Sequence, residues 1–515
     1  MISSDQTKIK NRRPYLIIII LIWLGCWLTV PINLINSSDL GRHIKNGELI
    51  LNGTWEVLYK NYYSYTNPEH SFTNHHWLFG VFCYILWHYL GFEGLSFIYL
   101  LLELFTFYVF FRLAQRYSSF TLACAFGLLS FPLICLRSEV RPEGITALLG
   151  GLFWLLIDSY QRGQLKSQPL CIGLCVLQII WVNSHIFFIL GPVLTIIFCL
   201  QARLNGEKEQ AKVLQNLFFL LWGMCLINPS GIKGILAPFT VDKSFYLFPT
   251  EESLSIFHFF NDAYLRPFVL YFLATLCILG VILAFLIKRD GIKKYIFIGF
   301  LTLFFAFPVM MAERMVGIYG LVWIPLSAYV YQRWLNLETS RIKKNIKILL
   351  ITTGIIVSIS INSNWNQPHG LGIIHGSNDA AEFFKKENID GPIFNNIDIG
   401  SYLIFHLSPR YKVFVDNRVQ PYPVDFMETL RQMQLNDALW HQLDQKYHFN
   451  VIFIFPEYTR EGITFIKHRL DDPAWALVYG GNNDAMIFLK RNLKNAPVID
   501  RHEIKRIRLS FSGRT

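Results

Sequence analysis

The sequence predicts a membrane all-α fold, a multi-span bundle of about 11 transmembrane helices, followed by a small soluble α/β domain. Hydrophobic residues make up 53% of the 515 residues and charged residues only 16%, a composition typical of polytopic membrane proteins. Apolar runs alternate with short loops as far as residue 362. From about residue 378, short apolar strands alternate with amphipathic helices, which indicates a separate soluble domain.

The apolar runs and the basic loops between them predict the topology. Segment 76–90 is short and contains His76 and His88, so we predict an interfacial or re-entrant helix there. With that segment left out of the count, the clusters of Lys and Arg fall on the side of the N-terminus. This is the positive-inside pattern of cytoplasmic loops, so residues after 362 are predicted to be extracytoplasmic. The predicted spans are 14–35, 94–111, 118–136, 144–158, 169–183, 185–201, 213–228, 266–287, 295–311, 315–332 and 346–362.

Three regions are predicted along the chain: a transmembrane domain at 1–364, an extracytoplasmic α/β domain at 365–500 and a disordered basic tail at 501–515. No glycine-rich nucleotide motif and no zinc-ligand spacing occurs. The net charge of +11 arises in short loops beside apolar spans, so no nucleic-acid partner is expected. The α/β domain is predicted to contain helices at 379–387 and 426–447 and strands at 412–416, 450–455, 475–479 and 485–489.

The predicted outer face collects unusual polar residues, and Asp39 is the first of them. It follows the first span directly, with Arg42 and His43 after it. A carboxylate beside an apolar wall can have its pKa raised into the range of a general base. The alternative is that Ser38 or Asp39 caps the short helix that follows.

Two adjacent histidines, His75 and His76, open the segment at 76–90. Together with Asp39 they could bind a divalent metal. Neighbouring positions on a helix point about 100° apart, which hinders binding of one ion by both rings. The alternative is that they lie at the level of the lipid headgroups, beside Trp77.

Arginines at two predicted outer turns suit a phosphate ligand. Arg141 lies in the run 137–143 (RSEVRPE) with Glu143, and Arg314 lies in 312–315 (AERM). A planar guanidinium binds phosphate oxygens in pairs. The alternatives are ion pairs with neighbouring glutamates, Glu313 in the case of Arg314, and snorkelling to the interface.

A further outer turn contains Asn183 and His185. Both could contact a polar ligand, and a helix cap with an interfacial histidine is the alternative. Charges near a bilayer are costly unless they are used or paired. Their placement on one predicted face therefore indicates a functional site there.

Taken in order, several short segments resemble the bacterial integral-membrane glycosyltransferases of the GT-C superfamily that use polyprenyl-phosphate sugars and have a C-terminal extracytoplasmic domain. The resemblance extends over most of the chain and rests on the order and spacing of these segments. They are 39–43 (DLGRH) with Gly47 and Gly53, 63–66 (YSYT), 74–78 (NHHWL), 140–143 (VRPE), 181–185 (WVNSH), 228–231 (NPSG), 400–403 (GSYL) and 413–418 (VFVDNR).

The resemblance implies a catalytic acidic residue in the first outer loop, a position that Asp39 matches. It also implies a polyprenyl-phosphate-linked sugar donor. Members of the family often have a glutamate where this chain has His76, and no second acidic residue stands beside Asp39. A divalent metal is therefore possible but is not supported by these residues.

The implied reaction is an inverting transfer at the membrane of a bacterial cell. Asp39 would deprotonate the acceptor, which could be a lipid, a glycan or a protein, and Arg141 and Arg314 would neutralise the departing phosphate. The soluble domain could bind the acceptor. The inner membrane is the predicted location, with a cytoplasmic N-terminus. Predicted substrate-binding or supporting residues are Arg42, His43, His75, His76, Glu143, Asn183 and His185.

Two other functions fit parts of the pattern. A lipid-linked glycan polymerase or ligase would use the same face and the same phosphate ligands but would transfer a preassembled glycan. A membrane transporter is the second alternative. Transporters commonly show internal repeats and polar residues in the middle of broken spans, and neither is evident in this sequence.

Overall fold

A computed structural model describes residues 4–35, 39–240, 251–363, 368–418, 420–456, 459–480 and 485–505. Several features predicted from the sequence lie outside these ranges. They are Ser38 as an alternative helix cap, the boundary between 364 and 365 and the end of the basic tail from 506.

The chain forms two compact units. The first comprises residues 1–31, 96–227 and 249–371, and the second comprises residues 32–95, 228–248 and 372–515. The second unit therefore combines the predicted first outer loop with the C-terminal segment. The predicted domains at 1–364 and 365–500 assign that loop to the transmembrane part.

The first unit is helical. Four helices of the described residues are long and apolar enough to cross a membrane: Trp77–Tyr117, Ser167–Ser184, Ile186–Leu204 and Arg266–Asp290. These helices support a multi-pass membrane protein, and the count of about 11 spans stays a prediction. The helices of this unit are α1 (Ser4–Leu28), the second part of α3 (Trp77–Tyr117), α4 (Phe120–Cys135), α5 (Pro142–Gln161), α6 (Ser167–Ser184), α7 (Leu190–Leu204), α8 (Lys208–Met224), α10 (Arg266–Asp290), α11 (Ile296–Met311), α12 (Val316–Leu335) and α13 (Ser340–Ser363).

Two helix boundaries differ from the predicted spans. Helix α1 ends at Leu28, not near residue 35, because Pro31 disfavours helical backbone at the residue before it. The segment 76–90 and the span 94–111 are parts of one helix, α3. Gly91 interrupts that helix with φ 67° and ψ −171°, a conformation that glycine adopts at low cost. The break lies in the gap that the sequence predicts between the two segments.

The second unit contains a four-stranded sheet of order β1-β2-β4-β3. The strands are β1 (Ile393–Phe394), β2 (Val451–Ile454), β3 (Trp475–Tyr479) and β4 (Met486–Lys490). Strands β1 and β2 are parallel, and the other pairs are antiparallel. The helices of this unit are α2 (Leu40–Leu51), the first part of α3, α9 (Ile232–Leu236), α14 (Asp379–Lys386), α15 (Gly400–Leu407), α16 (Val424–Met433), α17 (Asp437–Tyr447), α18 (Arg460–Asp471) and α19 (Ala496–His502).

Two predictions for this unit were wrong in detail. The helix predicted at 426–447 is two helices, since Asn436 caps α17 by accepting a hydrogen bond from the Leu439 N–H at 3.2 Å. The segment 412–416 is not a strand of the sheet. Val413 forms only an isolated bridge to Ser64, and the Phe414 N–H donates to the Asn395 side chain at 2.8 Å.

Helix α2 packs closely because glycines face its neighbours. A Cβ on Gly41 would lie 2.8 Å from the Ser401 carbonyl oxygen of α15, and a Cβ on Gly47 would lie 2.2 Å from the Gly80 carbonyl oxygen of α3. Both distances are far below van der Waals contact. Any side chain at these positions would push one backbone away from another, so the glycines set the position of the helix that begins beside Asp39.

We predict that Gly47→Ala destabilises the protein by about 1–3 kcal/mol, the usual cost of overpacking. The matched control is Gly223→Ala in α8, where an added Cβ meets no atom within 4 Å. Thermal unfolding of the two variants in detergent would show a lower Tm for Gly47→Ala alone. Equal Tm values for both would contradict the close approach of α2 and α3.

Candidate functional site

Asp39 lies at the start of α2 and is held by two side chains. It occupies the N-cap position of that helix, as the alternative predicted, without a side-chain capping hydrogen bond to it. Instead the carboxylate pairs with Arg42 and accepts a hydrogen bond from Asn417 Nδ2 at 2.9 Å. The Asp39 side chain is 31% exposed and that of Arg42 only 5%. The carboxylate is therefore oriented by its two partners and partly exposed.

Asn417 lies in sequence between Asp416 and Arg418, which form an ion pair with each other. The carboxylate of Asp416 accepts two hydrogen bonds from the Arg418 guanidinium, at 2.7 and 2.6 Å, and both side chains are buried. The Tyr422 hydroxyl also donates to Asp416 at 3.0 Å. Such bidentate pairs fix geometry. In the segment 416–418 (DNR), the first and last residues therefore form an ion pair, and the side-chain amide of Asn417 between them donates to Asp39.

The first outer loop completes the surroundings of this pair. Arg418 donates to Asn61 Oδ1 at 3.0 Å and lies over the Phe72 ring, 4.8 Å from its centroid. The Ser64 hydroxyl donates to the Phe414 carbonyl at 3.1 Å. At the start of α15, Ser401 Oγ accepts the backbone N–H of Arg42 at 3.2 Å. Segments far apart in sequence therefore position one carboxylate.

The three predicted histidines form a row of ring contacts in the same unit. The His43 and His76 rings are 5.6 Å apart, the His75 and His76 rings 5.5 Å, and Phe79 packs on His43 at 5.2 Å. Among the described residues, no group of three or more His, Cys, Asp or Glu is arranged to hold a metal ion. The arrangement therefore gives no support to the predicted metal site of Asp39 with the two adjacent histidines.

In the first unit, Arg141 belongs to a network of arginines and glutamates. It pairs with Glu139 at 2.6 Å and with Glu252, and Arg137 also pairs with Glu252, at 2.7 Å. Glu313 lies 3.6 Å from Arg137. The alternative reading of Arg141, pairing with glutamates, is thus present in the structure. Sequence spacing does not predict the contacts with Glu252, because Glu252 lies more than 100 residues from both arginines.

Arg314 differs from Arg141. The predicted alternative, an ion pair with Glu313, is not formed, since the nearest ion-pair partner of Glu313 in the described chain is Arg137. The Arg314 Nε is buried and has no hydrogen-bond partner among the described residues. Its charge acts on the buried ring of His185. Arg314 therefore keeps hydrogen-bonding capacity that a phosphate could use.

Two of the remaining predicted residues of this unit, Asn183 and His185, have internal partners. His185 follows α6 and shares a hydrogen bond of 2.7 Å with Thr146, and Asn183 donates to the Ile179 and Ile227 carbonyls at 2.8 Å. These bonds fasten helices together, and neither residue is an exposed interfacial group. Glu143 lies in the first turn of α5, where the helix dipole favours a negative charge.

Similarity to known structures was found at the level of fold. No protein-family model matches the chain, and no curated protein matches it by sequence. The archaeal oligosaccharyltransferase AglB from Archaeoglobus fulgidus, in complex with an inhibitory peptide and a dolichol-phosphate, superposes with a TM-score of 0.63. The identity is 9%, over 92% of this chain and 74% of that one.

The alignment with a second solved structure spans almost the full length of both chains. ArnT from Cupriavidus metallidurans, bound to undecaprenyl phosphate, matches with a TM-score of 0.53 and 9% identity over 94% of this chain and 98% of that one. Identities this low establish the fold and not the activity. This chain has the GT-C fold, which confirms the fold predicted from its sequence segments.

We predict that Asp416→Asn destabilises the protein by about 3–5 kcal/mol, because it leaves the Arg418 charge buried without its partner. The control is Asp425→Asn on the exposed start of α16, which should change the Tm little. Burial alone would raise the pKa of Asp416, but the charge and hydrogen bonds of Arg418 hold it below its ordinary value.

The same pair predicts the direction of a pH dependence. A depressed pKa in the folded state means that the contribution of Asp416 is complete above its unfolded pKa and is lost as the pH falls through the folded value. The wild type should therefore lose stability in acid by this route, and Asp416→Asn should lose less over the same interval. Parallel acid unfolding curves of the two proteins would contradict the assignment.

Proposed function

We propose that this protein is an integral membrane glycosyltransferase that transfers a sugar from a polyprenyl-phosphate donor to an extracytoplasmic acceptor, with Asp39 as general base. One observation carries the proposal. The segments 39–43, 63–66, 74–78, 400–403 and 413–418 are scattered along the sequence and lie together in the second unit. In that unit Asp39 is the carboxylate that they orient and leave partly open.

The proposed reaction is a displacement at the anomeric carbon. Asp39 accepts the proton of the acceptor hydroxyl while the acceptor oxygen bonds to that carbon. The bond from the carbon to the phosphate oxygen breaks, and its electron pair leaves with the lipid phosphate. The ion pair with Arg42 and the hydrogen bond from Asn417 orient the carboxylate for this step. We infer inversion, since one base and one phosphate leaving group suffice.

The leaving phosphate needs positive charge more than it needs a proton. We assign this role to Arg314 and Arg141. Arg314 is the stronger candidate, because it is not engaged by a glutamate in the described chain. Arg141 is paired with Glu139 and Glu252, so a phosphate would bind there only by replacing a carboxylate. The contacts of Arg42 with Asp39 and of His43 with His76 support the accessory roles that we propose for these two residues.

The solved structures support the class of donor. AglB was determined with a dolichol-phosphate and ArnT with undecaprenyl phosphate, so both folds hold a polyprenyl phosphate. Because AglB is an oligosaccharyltransferase, transfer of a whole glycan by a ligase is the second candidate here. The size of the accepted donor separates the two. A bacterial inner-membrane location with a cytoplasmic N-terminus remains part of the proposal.

We predict that Asp39→Asn lowers the rate of sugar transfer by at least about 100-fold, the usual contribution of a positioned base. The assay measures transfer of radiolabelled sugar from a panel of polyprenyl-phosphate sugars in proteoliposomes. The matched control is Glu48→Gln. Glu48 lies on the same helix, is also 31% exposed and pairs with Lys45 three residues before it, at 2.6 Å.

The control separates catalysis from loss of an ion pair on α2. Wild-type rates for Glu48→Gln and loss of transfer in a folded Asp39→Asn would support the base. If Asp39→Asn transfers sugar at the rate of the wild type, the assignment of Asp39 fails. Transfer only from donors with preassembled glycans would favour the ligase.

For Arg314→Gln we predict a loss of about 100-fold in kcat, because a charge at the departing phosphate acts mainly in the transition state. Arg289→Gln is the control, since Arg289 ends α10 beside Asp290 and is half exposed. Steady-state kinetics with varied donor measures the effect. A rise in KM with unchanged kcat would instead place Arg314 in ground-state binding of the lipid.

A further inference from the structure

We propose that a cleft of the second unit, beside the C-terminal end of α15, binds a carboxylate or phosphate group of the acceptor. This inference rests on the proposed function, since it concerns the acceptor of that reaction. The cleft has a volume of about 250 Å³. Its polar lining consists of Lys385, Asn388, His406, Ser408, Arg410 and Tyr411.

Two cations of the lining are available to an anion. Lys385 forms no ion pair within the described chain, and its pKa is lowered by burial and by the nearby charge of Lys45, against the effect of Glu382. The Arg410 side chain is 73% exposed and lies 4.0 Å from Asp390. Asp390 is already held by Lys494 at 2.7 Å and by the Tyr411 hydroxyl at 2.6 Å.

His406 lies in the lining of the cleft, near the charges of two lysines. Burial, together with the charges of Lys385 and Lys45, lowers the pKa of His406 to about 3, so its ring is neutral. The Nε2 of the ring is buried and has no hydrogen-bond partner among the described residues. The charges of Lys385 and Lys45 therefore both act on this ring. An anion in the cleft would meet the ammonium group of Lys385 and the guanidinium group of Arg410.

The cleft lies a short distance from Asp39 within the same unit. Helices α2 and α15 touch at Gly41 and Ser401. Lys45 follows Gly41 by four residues and His406 follows Ser401 by five, and the charge of Lys45 acts on the His406 ring. Four to five residues of helix rise by about 6–7.5 Å. An acceptor glycan with its reacting hydroxyl at Asp39 could therefore place an acidic substituent in the cleft.

The test measures binding to the full-length protein in nanodiscs of neutral lipid by isothermal titration calorimetry. The probes are trigalacturonate for carboxylates, glucose 6-phosphate and inorganic phosphate for phosphate, and neutral maltotriose. We expect at least one anionic sugar to bind more tightly than maltotriose. A preference for trigalacturonate or for glucose 6-phosphate identifies the group, and tighter binding of inorganic phosphate than of either sugar would overturn the assignment to an acceptor.

Variants locate the binding in the cleft. Lys385→Gln and Arg410→Gln should each lower the affinity for the anionic probe about fivefold, the effect of losing an exposed charge pair. Lys385→Arg should keep the affinity. The matched control is Lys386→Gln, which removes the same charge from the next residue, outside the lining. Equal weakening by Lys385→Gln and Lys386→Gln, or no preference for charged probes, would overturn the proposal.

This binding does not require the donor, so its outcome is independent of transfer. Asp39→Asn should bind the anionic probe like the wild type. If the wild type transfers no sugar but shows charge-selective binding that depends on Lys385, the proposed function fails and the anion site stands. If transfer depends on Asp39 but charged and neutral probes bind equally, the proposed anion site is refuted and the proposed function is supported.

Discussion

The buried ion pair between Asp416 and Arg418 is the interaction on which the candidate site depends. A pair of this kind contributes little net stability, because removing two charges from water costs about as much as their attraction returns. Its effect is on geometry. Arg418 also binds Asn61 and Tyr422 binds Asp416, so several buried polar groups of the C-terminal segment find partners in the arrangement that the structure shows. In that arrangement Asn417 reaches Asp39.

The glycines of α2 and α15 serve the same end by a different means. A Cβ on Gly400 would lie 2.5 Å from the Asp416 Cα, and Gly41 faces Ser401 just as closely. These contacts bring three pieces of backbone within reach of short side chains. Asp39 and Asn417 are among the shortest polar residues, and a hydrogen bond of 2.9 Å between them requires such an approach. The ion pair and the glycines thus act on the same few residues.

Much of this could be predicted from the sequence, for reasons that are local. Apolar runs predict the helices of the first unit, and the strands predicted at 475–479 and 485–489 are present as Trp475–Tyr479 and Met486–Lys490. Asp39 stood out because it follows an apolar span. The prediction of a strand at 412–416 was wrong because the backbone of this segment pairs with Ser64, which is distant in sequence, and with the side chain of Asn395. Non-local pairing of this kind leaves no periodic signal.

The arginine network of the first unit shows what sequence alone leaves open. Arg141 was expected to bind a phosphate or to pair with glutamates, and the structure shows it paired, sharing Glu252 with Arg137. These readings are compatible. A carboxylate between two guanidinium groups occupies the kind of position that suits a phosphate, so arginines that hold Glu252 are already spaced for an anion. A phosphate that takes the place of Glu252 would exchange one anion for another and would leave no buried cation unpaired. Such an exchange has to separate Glu252 from both arginines, and that cost is why Arg314, which no glutamate of the described chain engages, is the stronger candidate.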